Sequence, residues 1–114
     1  MTLGEKQELF ARSFAELILY AFRQGYTVRI GEVQRSEAQA RLNAANGTGI
    51  VNSLHRLKLA GDLLLFFEGK YLRDSDDYFE LGLYWRSWHP LCRWGGDFKR
   101  PDGGHFSIKH GGRK

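Results

Sequence analysis

The N-terminal part of the chain carries apolar residues at the spacing of an amphipathic helix. From Leu3 to about Gln24, the residues that recur every three or four positions fall on one helical face, and Gly25 is a typical C-terminal stop. The apolar face comprises Phe10, Phe14, Leu17 and Ala21. The alternating, β-branched stretch from Tyr26 to Ile30 then predicts a strand.

The middle of the chain predicts a short helix followed by a β-hairpin. Ser36 and Gln39 resemble a capping box, which would open a helix through about Ala45. The stretch from Ala60 to Phe67 contains five consecutive large apolar residues, so we expect a buried strand with no polar face. Glu68-Gly69-Lys70 supplies a tight turn, and the return strand begins at Tyr71.

The C-terminal part predicts one more helix and then loops. Asp74 to Trp88 has an apolar stripe at helical spacing, and Pro90 limits its extension. The stripe comprises Tyr78, Leu81, Trp85 and Trp88. Residues 92–114 hold six of the 14 glycines and suggest loops with short strands. The pattern therefore predicts one α+β domain over residues 1–114, with a small, largely antiparallel sheet flanked by helices.

Composition narrows the class of protein without identifying it. The chain has 114 residues and a net charge of +4, which favours an anionic partner: nucleic acid, a membrane surface or a cell wall. Its single cysteine, Cys92, rules out an intramolecular disulfide and a four-cysteine zinc site. No apolar stretch is long enough to span a bilayer, and the polar N-terminus lacks a signal-peptide core. We therefore expect a protein made in the cytoplasm without a signal peptide and not inserted into a membrane.

Two clusters carry metal-site chemistry. A catalytic zinc site needs three nitrogen or oxygen ligands and one open position. His55 and Asp62 flank the entry to the predicted buried strand, and His105 can come from a short strand pairing alongside. Asp102, three residues before His105, can sit beside the metal without coordinating it, as a general base must. We expect the two glycines between Asp102 and His105 to allow a sharp backbone turn.

These clusters resemble the M15 zinc peptidases. The resemblance runs from about Val28 to Phe106 and rests on Ser-x-His…Ala-x-Asp at residues 53–62, Trp-Gly-Gly-Asp at 94–97 and Asp-x-x-His-Phe at 102–106. The family includes D-Ala-D-Ala carboxypeptidases and the L-alanyl-D-glutamate endopeptidases of bacteriophage endolysins. It implies a Hedgehog/DD-peptidase-like fold. It also implies a Zn²⁺ ion held by His55, Asp62 and His105.

The resemblance implies further roles and shows two departures. Asp102 becomes the general base and acid, while Arg35 and Ser53 match positions that help to bind a substrate carboxylate or carbonyl. Lys58 stands where the family has glycine. The base is aspartate where many relatives carry glutamate, and this favours the endolysin-like members. For the remaining candidates we expect structural roles: Asp97, whose alternative is to orient a ligand, His89 at a helix end, and Cys92 as a buried or semi-buried thiol.

The expected function is cleavage of peptidoglycan stem peptides between L-Ala and D-Glu, by a monomeric phage or prophage lysin that reaches the wall through a holin-like partner. One alternative is a D-Ala-D-Ala carboxypeptidase. Another is a non-catalytic zinc-binding interaction domain, as in the Hedgehog proteins. A basic nucleic-acid-binding domain is the third, but the chain has no helix-turn-helix signature or dense basic stripe, so no nucleic-acid partner is expected.

Overall fold

A long N-terminal helix covers one side of the molecule. The computed structural model describes residues 1–33 and 54–111. Helix α1 (Leu3–Arg23) begins at a capping box, in which the Glu5 backbone N–H donates to Thr2 Oγ1 and the Thr2 N–H donates to Glu5 Oε1. The four predicted apolar positions of this helix are all buried. Gly25, with φ of 94°, follows its end, so the predicted stop is confirmed.

Antiparallel strands form a small sheet behind this helix. Within the described part of the chain they are β1 (Thr27–Ile30), β2 (Ala60–Phe67), β3 (Lys70–Leu72), β4 (Cys92–Trp94) and β5 (His105–Ile108). The sheet order is β1-β2-β5-β4, and β3 also pairs with β2. Each pairing is antiparallel, which confirms the predicted α+β class and sheet type.

The two faces of β2 differ, contrary to the expectation of a strand with no polar face. Leu63 and Leu65 are fully buried, whereas Asp62, Leu64 and Phe66 are only half-buried. Successive side chains of a strand point to opposite sides, so the apolar run supplies the core on one face and an accessible surface on the other. Asp62 belongs to that accessible face.

A second helix, α2 (Phe79–Trp88), closes the core from the C-terminal half. It is preceded by a 3-10 turn at Ser75–Tyr78, so the predicted helix over residues 74–88 consists of two pieces. Trp85 is fully buried and meets Phe10, Phe14 and Phe106 edge-on. The prediction that Trp88 shares this buried stripe is wrong: it is 36% exposed, because it ends the helix and stacks on Tyr84 at the surface.

Some predictions fall outside the described residues. They are the helix from Ser36 to about Ala45 and the two substrate-binding positions Arg35 and Ser53. Among the described residues, no helix is both long and apolar enough to cross a membrane.

Candidate metal centre

Three predicted ligands meet at the start of β2. His55 lies in a 3-10 turn (Leu54–Leu57) just before the strand, and Asp62 is its third residue. His105 opens β5 and is the direct cross-strand partner of Asp62. Residues paired in this way present their side chains on the same face of a sheet. The register of β2 against β5 therefore brings Asp62 and His105 together.

The spacing of the donor atoms suits a single tetrahedral ion. Asp62 Oδ1 lies 3.5 Å from His55 Nε2 and 3.3 Å from His105 Nδ1. Ligands held at about 2.0–2.1 Å from a tetrahedral metal are separated by roughly 3.4 Å. The ligand atoms of all three residues lie within 4.8 Å of one another. Two imidazoles and a carboxylate also match the donors that catalytic zinc prefers, with a fourth position left for water or substrate.

The Asp62 carboxylate is held in its charged form. Burial acts to raise its pKa, but the neighbouring His105 and His55 rings outweigh burial and lower the pKa to about 2. Asp62 Oδ1 is buried and has no hydrogen-bond partner among the described residues. A buried carboxylate oxygen is costly in that state unless a cation compensates it. This orphaned oxygen is the structural reason that the three residues fit a metal ion.

Glu32 was not identified from the sequence, and its carboxylate lies next to the Nδ1 side of the His55 ring. Its Oε1 lies 3.9 Å from His55 Nδ1, the ring atom that faces away from Asp62. The Glu32 backbone carbonyl accepts the N–H of Asp62, so the residue is tied to the start of β2. Carboxylates commonly orient metal-binding histidines from this side. Nothing in the sequence spacing between Glu32 and the three candidate ligands predicted that it would lie here.

Asp102 borders the same site from the loop before β5. Although much of the residue faces solvent, burial of its carboxyl raises the pKa; His105 and His55 oppose this rise, and Asp62 adds to it. Asp102 and Asp62 line one cleft. The loop is held in place because the Asp102 N–H donates to Gly95 O and the Asp102 carbonyl accepts the N–H of His105. A carboxyl with a raised pKa beside a metal site is suited to accepting and returning a proton.

The chain makes the predicted sharp turn at Gly103 and Gly104, where the His105 N–H donates to Asp102 O, but close packing is what requires glycine there. Neither Gly103 nor Gly104 has a positive φ. A Cβ on Gly103 would lie 2.7 Å from the backbone of Ser75, and one on Gly104 would lie 2.8 Å from Leu63 O. A Cβ on Gly95 would lie 2.1 Å from Asp102 O. These close contacts pack the Asp102 loop against Leu63 of the sheet and against the turn at Ser75. Trp94 secures it further by donating its indole N–H to Gly103 O at 2.7 Å.

The residues predicted to be structural make structural contacts. Asp97 is exposed and pairs with Arg86 at 3.2 Å. His89 Nδ1 accepts the backbone N–H of Leu91 just after α2. Cys92 is a buried free thiol whose pKa burial raises to about 12, so it remains neutral and is a poor nucleophile.

Lys58 occupies an unusual backbone conformation. It lies between His55 and Asp62 and has φ of 57°. This left-handed region favours glycine, the residue that the resemblance places at this position. Lys58 therefore adopts a conformation that glycine would adopt more readily, and its side chain is exposed.

The fold and these side chains define an α+β protein with a candidate two-histidine, one-carboxylate metal centre. The fold is similar to the crystal structure of the L-Ala D-Glu endopeptidase ChiX from Serratia marcescens, with a TM-score of 0.70 and 23% sequence identity. The match covers 91% of this chain and 86% of that chain. At this identity the likeness shows the shared fold. No protein-family model and no curated protein matches the sequence.

Proposed function

We propose that this protein is a zinc-dependent metallopeptidase that hydrolyses peptidoglycan stem peptides between L-Ala and D-Glu. The observation that carries the proposal is the meeting of His55, Asp62 and His105 at donor-atom distances suited to one ion, with Asp102 bordering the same cleft. In this proposal the three residues are the zinc ligands. Asp102 is the general base and acid.

The metal would supply Lewis-acid chemistry, lowering the pKa of a water and polarising the scissile carbonyl. Asp102 takes the proton from the attacking water and returns it to the amine that leaves. The Asp102 carboxyl holds the proton between these two steps. Glu32 places a carboxylate 3.9 Å from His55 Nδ1, where its negative charge favours the His55 ring as a metal ligand.

The choice of substrate is supported by three features. The motifs resemble those of the M15 peptidases, and the shared fold is that of a protein named as an L-Ala D-Glu endopeptidase. The net charge of +4 favours approach to an anionic cell wall. A lysin made in the cytoplasm and released through a holin-like partner is the biological setting that we propose.

Digestion of purified peptidoglycan tests the bond that is cleaved. The zinc-loaded protein should release fragments with new N-terminal D-Glu, identified by mass spectrometry, and Asp102→Asn should release none. Release of free D-Ala would instead identify a D-Ala-D-Ala carboxypeptidase. The Asp97→Asn variant is the matched control, because Asp97 is an exposed acid whose carboxylate pairs with Arg86.

Metal analysis separates the enzyme from a non-catalytic zinc-binding domain. The purified protein should bind one zinc ion per chain, and a chelator should remove both the ion and the activity. His55→Ala should lose the ion, whereas His89→Ala should keep it, because His89 caps a helix end. Stoichiometric zinc with no turnover of any peptidoglycan would favour the interaction domain. Salt-sensitive retention on DNA by a protein without zinc would favour the nucleic-acid alternative.

A further inference from the structure

A cleft of about 280 Å³ opens beside the candidate metal centre. The candidate ligand Asp62 and the proposed base Asp102 are both among its lining residues. The accessible face of β2 contributes Leu64, and the segment after β3 contributes Arg73 and Ser75. The cleft is therefore lined by two carboxylates and one guanidinium.

Arg73 is placed to bind an anion. It is the sole basic residue among those lining the cleft, and it forms no ion pair with any acid in the described ranges 1–33 and 54–111. Its guanidinium carbon lies 5.9 Å from the centre of the Tyr71 ring, which also lines the cleft. An arginine beside an aromatic face keeps its N–H groups directed outward in the guanidinium plane, where they can hold a carboxylate through two hydrogen bonds.

The segment that carries Arg73 is fixed to the Asp102 loop. The N–H of Gly103 donates to Ser75 Oγ at 2.9 Å, and the two backbones approach so closely that a Cβ on Gly103 would lie 2.7 Å from Ser75. Arg73 precedes Ser75 by two residues. The backbone that carries the guanidinium is consequently held at a defined place relative to the Asp102 carboxyl.

The chemistry of the proposed reaction identifies the ligand of Arg73. Asp102 must return its proton to the leaving amine, so the residue that bears this amine lies on the Asp102 side of the metal centre. In a stem peptide that residue is D-Glu, which is linked onward through its side chain and therefore keeps a free α-carboxylate next to the amine. We infer that Arg73 binds this carboxylate and makes the cleft a subsite for an acidic leaving residue. The inference rests on the proposed function.

A subsite of this kind distinguishes a carboxylate from its amide. Many stem peptides carry D-isoglutamine, in which an uncharged carboxamide replaces the carboxylate. A charge-assisted bidentate contact is roughly twice as strong as a neutral one, so we expect kcat/KM to favour the acid by about 10- to 100-fold. The arginine should be responsible for most of that preference.

The test compares two synthetic tripeptides, L-Ala-γ-D-Glu-L-Lys and its D-isoglutamine counterpart. With zinc-loaded protein, Arg73→Gln should lower kcat/KM for the acid and leave the amide nearly unchanged, which removes the preference. Arg73→Lys should retain part of it. Arg12→Gln is the matched control for charge, because Arg12 is exposed on α1 and pairs with Glu16 away from the cleft. An equal loss on both peptides, or an unchanged preference, would overturn the subsite.

Binding distinguishes failure of the subsite from failure of the proposed function. Calorimetry with zinc-loaded Asp102→Asn measures the affinity for each tripeptide without turnover. Tighter binding of the acid that disappears in the double variant with Arg73→Gln supports the subsite even if the unsubstituted protein hydrolyses neither peptide. If the protein hydrolyses both peptides and binds them with equal affinity, the peptidase proposal stands and the role of Arg73 is rejected.

Discussion

The two faces of strand β2 serve different purposes. Leu63 and Leu65 are fully buried on the face that packs against α1. On the same face, a Cβ added to Gly61 would lie 2.7 Å from the Phe14 ring. Asp62 and Leu64, the alternate residues, line the cleft beside the candidate metal centre. One continuous segment therefore holds the core together and carries a candidate ligand. The rigidity of the packed face keeps Asp62 in register with His105, and a metal site depends on this fixed position.

The largest effect should follow from Asp62→Asn on the accessible face. Replacing the carboxylate by a neutral amide removes the negatively charged ligand, so the variant should bind zinc poorly. Loss of the ion should remove several kcal/mol of transition-state stabilisation and lower kcat/KM by about 10³-fold. The metal-free protein should lose a smaller part of its stability, because the low pKa of Asp62 means that its charged carboxylate stabilises the folded state. Zinc content, peptidoglycan hydrolysis and thermal unfolding measure these quantities. Full activity in a zinc-loaded Asp62→Asn protein would contradict the assignment of this ligand.

Leu65→Ala on the packed face should have the opposite profile. Truncating a fully buried leucine destabilises a protein by about 2–5 kcal/mol, whereas zinc binding below the unfolding transition should remain. Leu64→Ala is the control on the same strand, and its half-buried side chain predicts less than half of that loss. Urea unfolding of the metal-free variants gives both values. Equal losses would show that the two faces are not distinct.

Gly95→Ala tests whether close packing positions Asp102. The added methyl would lie 2.1 Å from Asp102 O and 2.8 Å from His105 Cβ, so the Asp102 loop must move. We expect a loss of about 1–3 kcal/mol in stability, and a displacement near 1 Å should lower kcat by about 10²-fold. Gly4→Ala is the control, because its Cβ would meet nothing closer than 4.0 Å. Unchanged turnover in Gly95→Ala would show that catalysis does not depend on the position of the Asp102 loop.

The smallest effect is a gain, from Lys58→Gly. The positive φ of Lys58 is strained for a residue with a Cβ by about 1–2 kcal/mol, and the extra chain entropy of glycine offsets part of this. The net increase in stability should be about 0.5–1 kcal/mol, or roughly 3 °C in Tm. Lys58→Ala keeps the strain while removing the charge, so it should show no such gain. If Tm rises in Lys58→Ala and not in Lys58→Gly, the gain comes from removing the lysine side chain and not from relieving backbone strain.

The sequence by itself determined the local elements and the identities of the candidate ligands. The spacing of Phe10, Phe14 and Leu17 predicts α1 because helical periodicity is a property of neighbouring residues. The apolar run from Ala60 to Phe67 predicts β2 with its observed bounds. His55, Asp62 and His105 were recognisable because only a few side chains bind zinc and their motifs have a specific order. The predicted substrate residues Arg35 and Ser53 lie outside the described residues and stay predictions.

Only the tertiary structure decided which distant residues share a surface. Asp62 and His105 are 43 positions apart in the sequence and become direct partners through the register of two strands. Glu32 reaches the back of His55, and Arg73 joins the cleft of Asp102, through contacts that no spacing rule encodes. The glycines around Asp102 are explained by backbones that approach too closely for a Cβ. Such contacts depend on how separate helices, strands and loops pack against one another. The local sequence pattern of one element carries no information about which distant residues it will meet.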